Sequence, residues 1–476
     1  MQTGSNRVVV IGGGLAGMVA AARATELGLK AVVLEAGSDA DYICNSRMTG
    51  GIFHVAMNNI LVEPEEARAN ILVATGGHSD GRLVDALAGN ARRAVDWLRS
   101  QGIRFIRGGP TPEFSTVLAP PMLQQFGLHW RGRGGDVLLR TLAERMAAGG
   151  GKIVRGARAS SLRMANRRCV GVEAECDGRL TTFDADAVVI ADGGFQANPD
   201  LVGEHISPAP DKVLQRNAKT GRGDGLRMAA EIGAKLVGLS GFYGHVLHRD
   251  AMFNDRLWPH PMVDSMAASG MIVGNDGCRF TDEGLGGVSI ANAIARLLDP
   301  LSTVVICDDA AWQGPAKAAV LAPNPNLSRA GAFVTTASDI SGLAETMGLP
   351  SATLVATVGA YNKAFADGSL DRLEPPRSSG RWPASSIIQP PFHAVPVCAG
   401  MTYTMGGIAI DDRARVIDSD GLPIPGLYAA GATTGGLEGG PLTGYTGGLS
   451  KASTFGLLAA EAAAEALGAQ SQRAAS

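Results

Sequence analysis

The chain has 476 residues and a net charge of -3, with 42 Lys and Arg against 45 Asp and Glu. That balance argues against nucleic acid as the main partner. No apolar run approaches the ~20 residues that span a bilayer, and the length suggests about three domain-sized units. The six cysteines, Cys44, Cys169, Cys176, Cys278, Cys307 and Cys398, form no C-x-x-C pair. They fit reduced thiols in the cytoplasm, with no metal, haem or iron–sulfur set expected.

The first predicted element is a strand, the apolar run Val8-Val9-Val10-Ile11. It starts so early that no signal peptide is expected. Gly12-Gly13-Gly14-Leu15-Ala16-Gly17 follows, then an alanine-rich helix over 15–27 closed by Gly28. A second run, Ala31-Val32-Val33-Leu34, ends in Glu35 and Ala36. Strand, glycine turn, helix, strand and acid make a dinucleotide-binding βαβ unit. Gly12 permits the tight turn, Gly14 lets the backbone approach a pyrophosphate, and Gly17 allows the helix to lie against the sheet. The amino end of the helix, near Leu15 and Ala16, faces the pyrophosphate. Glu35 accepts ribose hydroxyls and repels a 2′-phosphate, so NADP is disfavoured; the motif alone fits NAD and FAD equally well.

A polar loop leads to Asn45-Ser46-Arg47-Met48-Thr49-Gly50-Gly51. Helices are predicted over 82–100 and 136–148, and short antiparallel strands over 152–155, 169–173 and 180–183. A buried strand over 187–191 runs into Asp192-Gly193-Gly194-Phe195. From about 242 to 402 the texture changes, with prolines, aromatic clusters and helices over 289–298 and 351–365. This reads as an inserted second domain. The tail returns with a strand over 426–431, a glycine-rich loop over 442–448 and a helix over 450–466. The last eight or so residues read as disordered.

These pieces resemble the fumarate reductase/succinate dehydrogenase flavoprotein superfamily, which includes 3-ketosteroid Δ1-dehydrogenases. The matching segments are 12–17 with Glu35, 45–51, 191–195, Asn275 to Glu283, Thr404-Met405-Gly406-Gly407, 427–431, and Gly447-Gly448. The resemblance implies an α/β fold: a Rossmann-type FAD domain (1–243 and 403–476) with an inserted α+β cap (244–402). It implies that Asn45, Ser46, Thr49, Gly50 and Gly51 line the flavin and pyrophosphate. Ala159 then meets the adenine, Ala191 and Gly193 flank the adenosine half, and Gly431 lies by the ribityl chain. Gly448 and Leu449 bring the last helix to the flavin's pyrimidine edge. Members with covalent FAD carry a histidine where this chain has Cys44, so FAD is expected to be non-covalent. Ala432 stands where many members have a glutamate.

Departures from the pattern bear on the reaction. Where fumarate and succinate enzymes place a histidine before Thr-Met-Gly-Gly, this chain has Tyr403. The acid-catalyst arginine is missing from 285–289, and Thr443-Gly444-Tyr445-Thr446 replaces the carboxylate-binding arginine. A dicarboxylate site is therefore not expected. In ketosteroid dehydrogenases a tyrosine and a backbone N–H hold the ketone, and Tyr445 and Gly448 carry over to that role. Further catalytic candidates are Tyr403, Tyr243 and His245 at the cap junction, and Arg131 in a cation-rich loop with Arg133. His248 and the Trp258-Pro259-His260-Pro261 segment are weaker candidates.

The expected function is an FAD-dependent dehydrogenase that desaturates a carbonyl-activated C–C bond of a cyclic ketone, an oxo-cyclohexane carboxylate or a steroid-like compound. A second reading is a carboxylate oxidoreductase of tricarballylate dehydrogenase or ene-reductase type. A third is an FAD electron carrier without catalysis. The electron acceptor (oxygen, a quinone or a carrier protein) is left open.

Overall fold

The computed structural model describes residues 6–468. The tail expected to be disordered lies outside them. The main sheet has six strands in the order Arg415–Ile417, Pro423–Ala429, Ala187–Ile190, Arg7–Ile11, Lys30–Glu35, Lys152–Arg155. All neighbours are parallel except the first pair. Val8, Val9 and Val10 are almost wholly inaccessible, as befits a parallel strand covered on both faces. Lys152–Arg155 is a correction to the sequence reading: it is a parallel edge strand, with Ile153 opposite Val33, not part of an antiparallel set. The helix Gly134–Ala148 precedes it, and such a crossover returns the chain parallel. The antiparallel meander is instead Ala157–Ala165, Arg168–Cys176 and Arg179–Asp184.

The helix Leu15–Glu26 is buried along nearly its whole length because the last helix, Gly448–Ala466, lies against it. The approach is close enough that a Cβ on Gly456 would stand 2.7 Å from the Ala16 carbonyl. A Cβ on Gly17 would stand 2.0 Å from the Gly12 carbonyl, so the helix meets the turn backbone to backbone.

The second large sheet is built on the 13-residue strand Phe392–Thr404, with Leu214–Gln215, Val304–Cys307, Met271–Val273, Thr335–Ala337 and Phe242–His248. Phe242–His248 runs antiparallel to the long strand and sets Tyr243 opposite Tyr403. A bulge follows, and Gly244 pairs with Met401, so Thr402 has no opposite residue. Freed from the ladder, the Thr402 carbonyl accepts from Asn45 Nδ2 at 2.9 Å and its hydroxyl from Arg216 at 3.0 Å. The helices predicted over 82–100 and 351–365 form as Gly81–Ser100 and Ser351–Ala366. The one predicted over 289–298 forms as Gly287–Ala295, capped by Arg296.

Candidate active site

One continuous cavity of about 1170 Å³ collects most of the predicted residues. Its walls include Gly12, Gly14, Leu15, Ala16, Glu35, Ala36, Asn45, Ser46, Thr49, Gly50, Ala159, Ala191, Gly193, Gly431, Gly448 and Leu449, together with Tyr243, His245, Tyr403 and Tyr445. Three predicted residues lie elsewhere. Gly17 sits within the helix contact just described. Gly51, at φ +78°, turns the chain beneath Leu118 and donates its N–H to Thr49 Oγ1 at 3.2 Å. Arg131 is a correction: its side chain is 72% exposed, lies over the Trp130 ring and approaches Asp41 at 3.5 Å. The buried charge beside this loop is Asp136, in the first turn of the helix Gly134–Ala148, which Arg47, Arg140 and the Gly132 N–H hold.

The cavity exceeds the ~300–1,000 Å³ of single-ligand pockets, so it has room for a dinucleotide and a substrate. Gly12, at φ +99°, turns so tightly that a Cβ would meet the Ala191 carbonyl at 2.6 Å. A Cβ on Gly14 would meet only Ser46 Oγ, at 3.5 Å, so its open side faces the cavity. Ser46 Oγ accepts the Leu15 N–H at 2.9 Å, tying the Asn45-Ser46 loop to the helix's amino end. Glu35 accepts N–H groups from Gly13 at 2.8 Å and Gly37 at 2.7 Å. Burial raises its carboxyl above the ordinary range, against the pull of those N–H groups. Asp192 keeps one carboxylate oxygen buried without a partner, and burial pushes its pKa up to about 6. A glycine cradle, a helix amino terminus and an acid at the second strand's tip fit the pyrophosphate and ribose of FAD.

The rest of the cavity is aromatic and polar. Tyr243 stacks on Tyr445, centroids 3.7 Å apart and rings 12° from parallel, with Tyr403 5.5 Å from Tyr243. The Gly448 N–H donates to the Tyr445 hydroxyl at 3.2 Å. Burial holds that phenol well above its ordinary pKa, so it stays protonated. The Tyr243 hydroxyl lies 2.9 Å from His245 Nε2, and His245 Nδ1 lies 2.6 Å from Asp264. A carboxylate only accepts, so Nδ1 carries the proton and Nε2 is left to accept from Tyr243. Burial lowers the His245 pKa and keeps the ring neutral, outweighing Asp264. Asp264 is itself fixed by the Val246 N–H at 2.8 Å.

Tyr403 is engaged differently. Its hydroxyl donates to both oxygens of buried Glu438, at 3.0 and 3.1 Å, and Glu438 also takes the Thr446 N–H and hydroxyl and the Lys451 ammonium. Tyr403 thus holds a wall under Gly448, where an added Cβ would come within 3.0 Å of its ring. Asp264, Arg216, Glu438, Lys451 and His54 went unrecognised in the sequence. His54 meets Tyr445 edge-on at 5.3 Å and accepts the Met57 N–H at Nδ1. No spacing links any of them to their partners, which lie 8 to 391 residues away in contacts that the tertiary fold makes, apart from the local turn at His54. Among the described residues no group of three or more His, Cys, Asp or Glu could hold a metal. Among them, too, no helix is long and apolar enough to cross a membrane.

The cavity has the form of a dinucleotide-binding site. Residues 7–444 match the family model described as FAD binding domain, and the chain belongs to that family. It is an FAD-binding protein, and the proteins it resembles are oxidoreductases. It is 28% identical over 399 residues to NADH:acrylate oxidoreductase of Vibrio harveyi, covering 80% of this chain and 37% of that protein. It is 29% identical over 288 residues to 4-oxocyclohexanecarboxylate 2-dehydrogenase of Sinomonas cyclohexanicum, covering 55% and 48%. The chain thus spans less than half the length of either relative. In fold it matches 3-ketosteroid Δ1-dehydrogenase of Sterolibacterium denitrificans with a TM-score of 0.74, at 20% identity over 97% of this chain and 100% of that one.

Proposed function

We propose that the chain is a dehydrogenase that introduces a C=C bond next to a carbonyl, removing an α-proton and a β-hydride from a cyclic ketone. The observation that carries this reading is the meeting of the Tyr445 hydroxyl and the Gly448 amide, 3.2 Å apart. They become a two-donor clamp for a ketone oxygen when the Gly448 N–H turns from the Tyr445 hydroxyl to the ketone, next to a tyrosine backed by a neutral imidazole. As the α-proton leaves, negative charge grows on that oxygen, and two preorganised donors stabilise it. The proton goes to Tyr243 while the Tyr243 hydroxyl proton moves to His245 Nε2, and Asp264 stabilises the imidazolium. FAD, which the glycine turn, the helix amino end and Glu35 would hold, would supply a two-electron hydride acceptor. The cap region 244–402 supplies His245 and Asp264, and the return segment 403–476 supplies Tyr445 and Gly448, so the substrate is held between them. The cofactor is bound non-covalently: burial pushes the Cys44 thiol up to about 11, too high to act as a thiolate nucleophile. The six free cysteines suit the cytoplasm.

The reductive direction, as in an ene-reductase, is a second reading. Arg216, a cation in the cavity wall with no carboxylate salt bridge among the described residues, favours a carboxylate on the substrate there. An anaerobic panel read at the flavin absorbance tests the proposal. Bleaching by 4-oxocyclohexanecarboxylate or a 3-ketosteroid is expected. Bleaching by succinate or tricarballylate alone would overturn it.

A further inference from the structure

Three buried nitrogens in the cavity wall have no hydrogen-bond partner: Arg216 Nε, Trp258 Nε1 and His260 Nδ1. Among the described residues the Arg216 guanidinium otherwise hydrogen-bonds the Thr402 hydroxyl, at 3.0 Å, and Met262 Sδ, at 3.7 Å. Met262 belongs to the same loop as Trp258 and His260, so this loop lies against the guanidinium. No carboxylate makes a salt bridge to Arg216 among the described residues. The carboxylate that acts on it through space, Asp264, is already taken by His245 and the Val246 N–H. Burial and the neighbouring Arg216 charge drive the His260 pKa down to about 3, so His260 adds a neutral ring. A guanidinium whose Nε is buried with no partner, beside an unused indole N–H and an unused imidazole nitrogen, is a destabilising arrangement until an anion fills it.

We infer that Arg216, with the Trp258 and His260 ring nitrogens, anchors a carboxylate of the substrate, which is therefore an oxo monocarboxylic acid rather than a neutral ketone. This deepens the proposed function and rests on its placing of the ketone at Tyr445 and Gly448. A guanidinium presents two parallel N–H groups to a carboxylate, and the indole supplies a further donor. With the carboxylate fixed there and the ketone in the tyrosine clamp, the ring between them is held at two points and presents one α-carbon to Tyr243.

The test uses the FAD-loaded protein and two redox-inert probes, cyclohexanecarboxylate and its uncharged isostere cyclohexanecarboxamide. Binding is read as a perturbation of the flavin spectrum. The carboxylate is expected to bind at least about tenfold more tightly, and Arg216→Gln to bring the two within about threefold. Equal affinities in the natural protein overturn the inference, as does a preference that survives in Arg216→Gln. If Arg216→Gln does not retain FAD, the natural protein's two affinities decide alone, and Arg216→Lys is expected to keep part of the preference. A 4-oxocyclohexanecarboxylate that binds with this preference yet leaves the flavin oxidised refutes desaturation and keeps the anchor. Cyclohexanone that bleaches the flavin as readily as the oxo acid does the reverse.

Discussion

Replacing Tyr445 with phenylalanine removes one oxygen atom and leaves the ring. The 3.7 Å stack on Tyr243 and the edge contact with His54 need no hydroxyl, so the wall stays in place. The lost Gly448 N–H···O contact is long, at 3.2 Å, and sits at a helix amino end that water reaches once the hydroxyl is gone. Its loss costs about 1 kcal/mol of stability or less. The effect on rate is larger. One of two donors to a developing oxyanion is gone, which lowers the rate by roughly 10²–10³, or about 3–4 kcal/mol of barrier. Mixing FAD-loaded enzyme with 4-oxocyclohexanecarboxylate anaerobically and following flavin bleaching in a single turnover isolates that step. The limiting bleaching rate is expected to fall by that factor, with FAD content unchanged and substrate affinity changed far less. A limiting rate within about threefold of the natural enzyme would show that Tyr445 only fills space.

Asp264→Asn removes the charge that holds the His245 proton on Nδ1, so turnover is expected to drop by on the order of 10²–10⁴, and unchanged turnover would break the proposed relay. His245 acts in its neutral form and burial lowers its pKa, so the rate is expected to lie on a plateau at neutral pH and to fall only below about 6.5; a pH–rate profile with its acid limb above neutrality contradicts this. Gly14→Ala is expected to fold but bind FAD weakly, because its Cβ meets only Ser46 Oγ and points into the cavity. Gly17→Ala, 2.0 Å from the Gly12 carbonyl, is expected to fail to fold; flavin content and circular dichroism separate the two. His54 has a native pKa of about 4 against an ordinary 6.5, with burial the main cause and the Arg381 charge adding to it. The unfolded chain takes up the proton first as pH falls, so about 3 kcal/mol of stability is full above pH 6.5 and is lost between 6.5 and 4. His54→Gln is expected to flatten that window in urea melts, and an unchanged slope would count against it.

The cofactor half was legible because its determinants are close in sequence. Strand, glycines, helix and Glu35 fall within 30 residues, and each part is set by local sterics and apolar period. The substrate half depends on contacts that no local pattern records. Tyr243 and His245 share a strand, but Asp264 joins them from a helix 19 residues on. Tyr445 reaches Tyr243 across 202 positions of chain, and the bulge that frees Thr402 follows from a register between two distant strands. The arginines show the limit best. Arg131, beside another arginine in a turn before a helix, looked as suitable as any cation. Arg216, between Gln215 and Asn217, carries no local mark, yet it is the one that lines the cavity. Tyr403 stands out in the sequence by its position before Thr-Met-Gly-Gly, but its hydroxyl's commitment to Glu438, 35 residues later, is a tertiary fact.

The charges in the cavity wall bear on which anions the proposed site could take. Lys451, a buried cation there, donates hydrogen bonds to Glu438 and the Thr434 carbonyl. Arg158 pairs with Asp224 at 2.9 Å, and Lys219 and Arg222 are exposed. That leaves Arg216, among the described residues, as the cation beside the stacked tyrosines without a salt bridge. One carboxylate can be neutralised there. A second, placed where Tyr445 and Gly448 meet, would be buried against two neutral donors at a cost of several kcal/mol. A ketone at the same place starts neutral and becomes negative only as its α-proton leaves, which is when two neutral donors are worth most. A site with one cation and one neutral clamp therefore discriminates against dicarboxylates at binding and favours an oxo acid in the transition state.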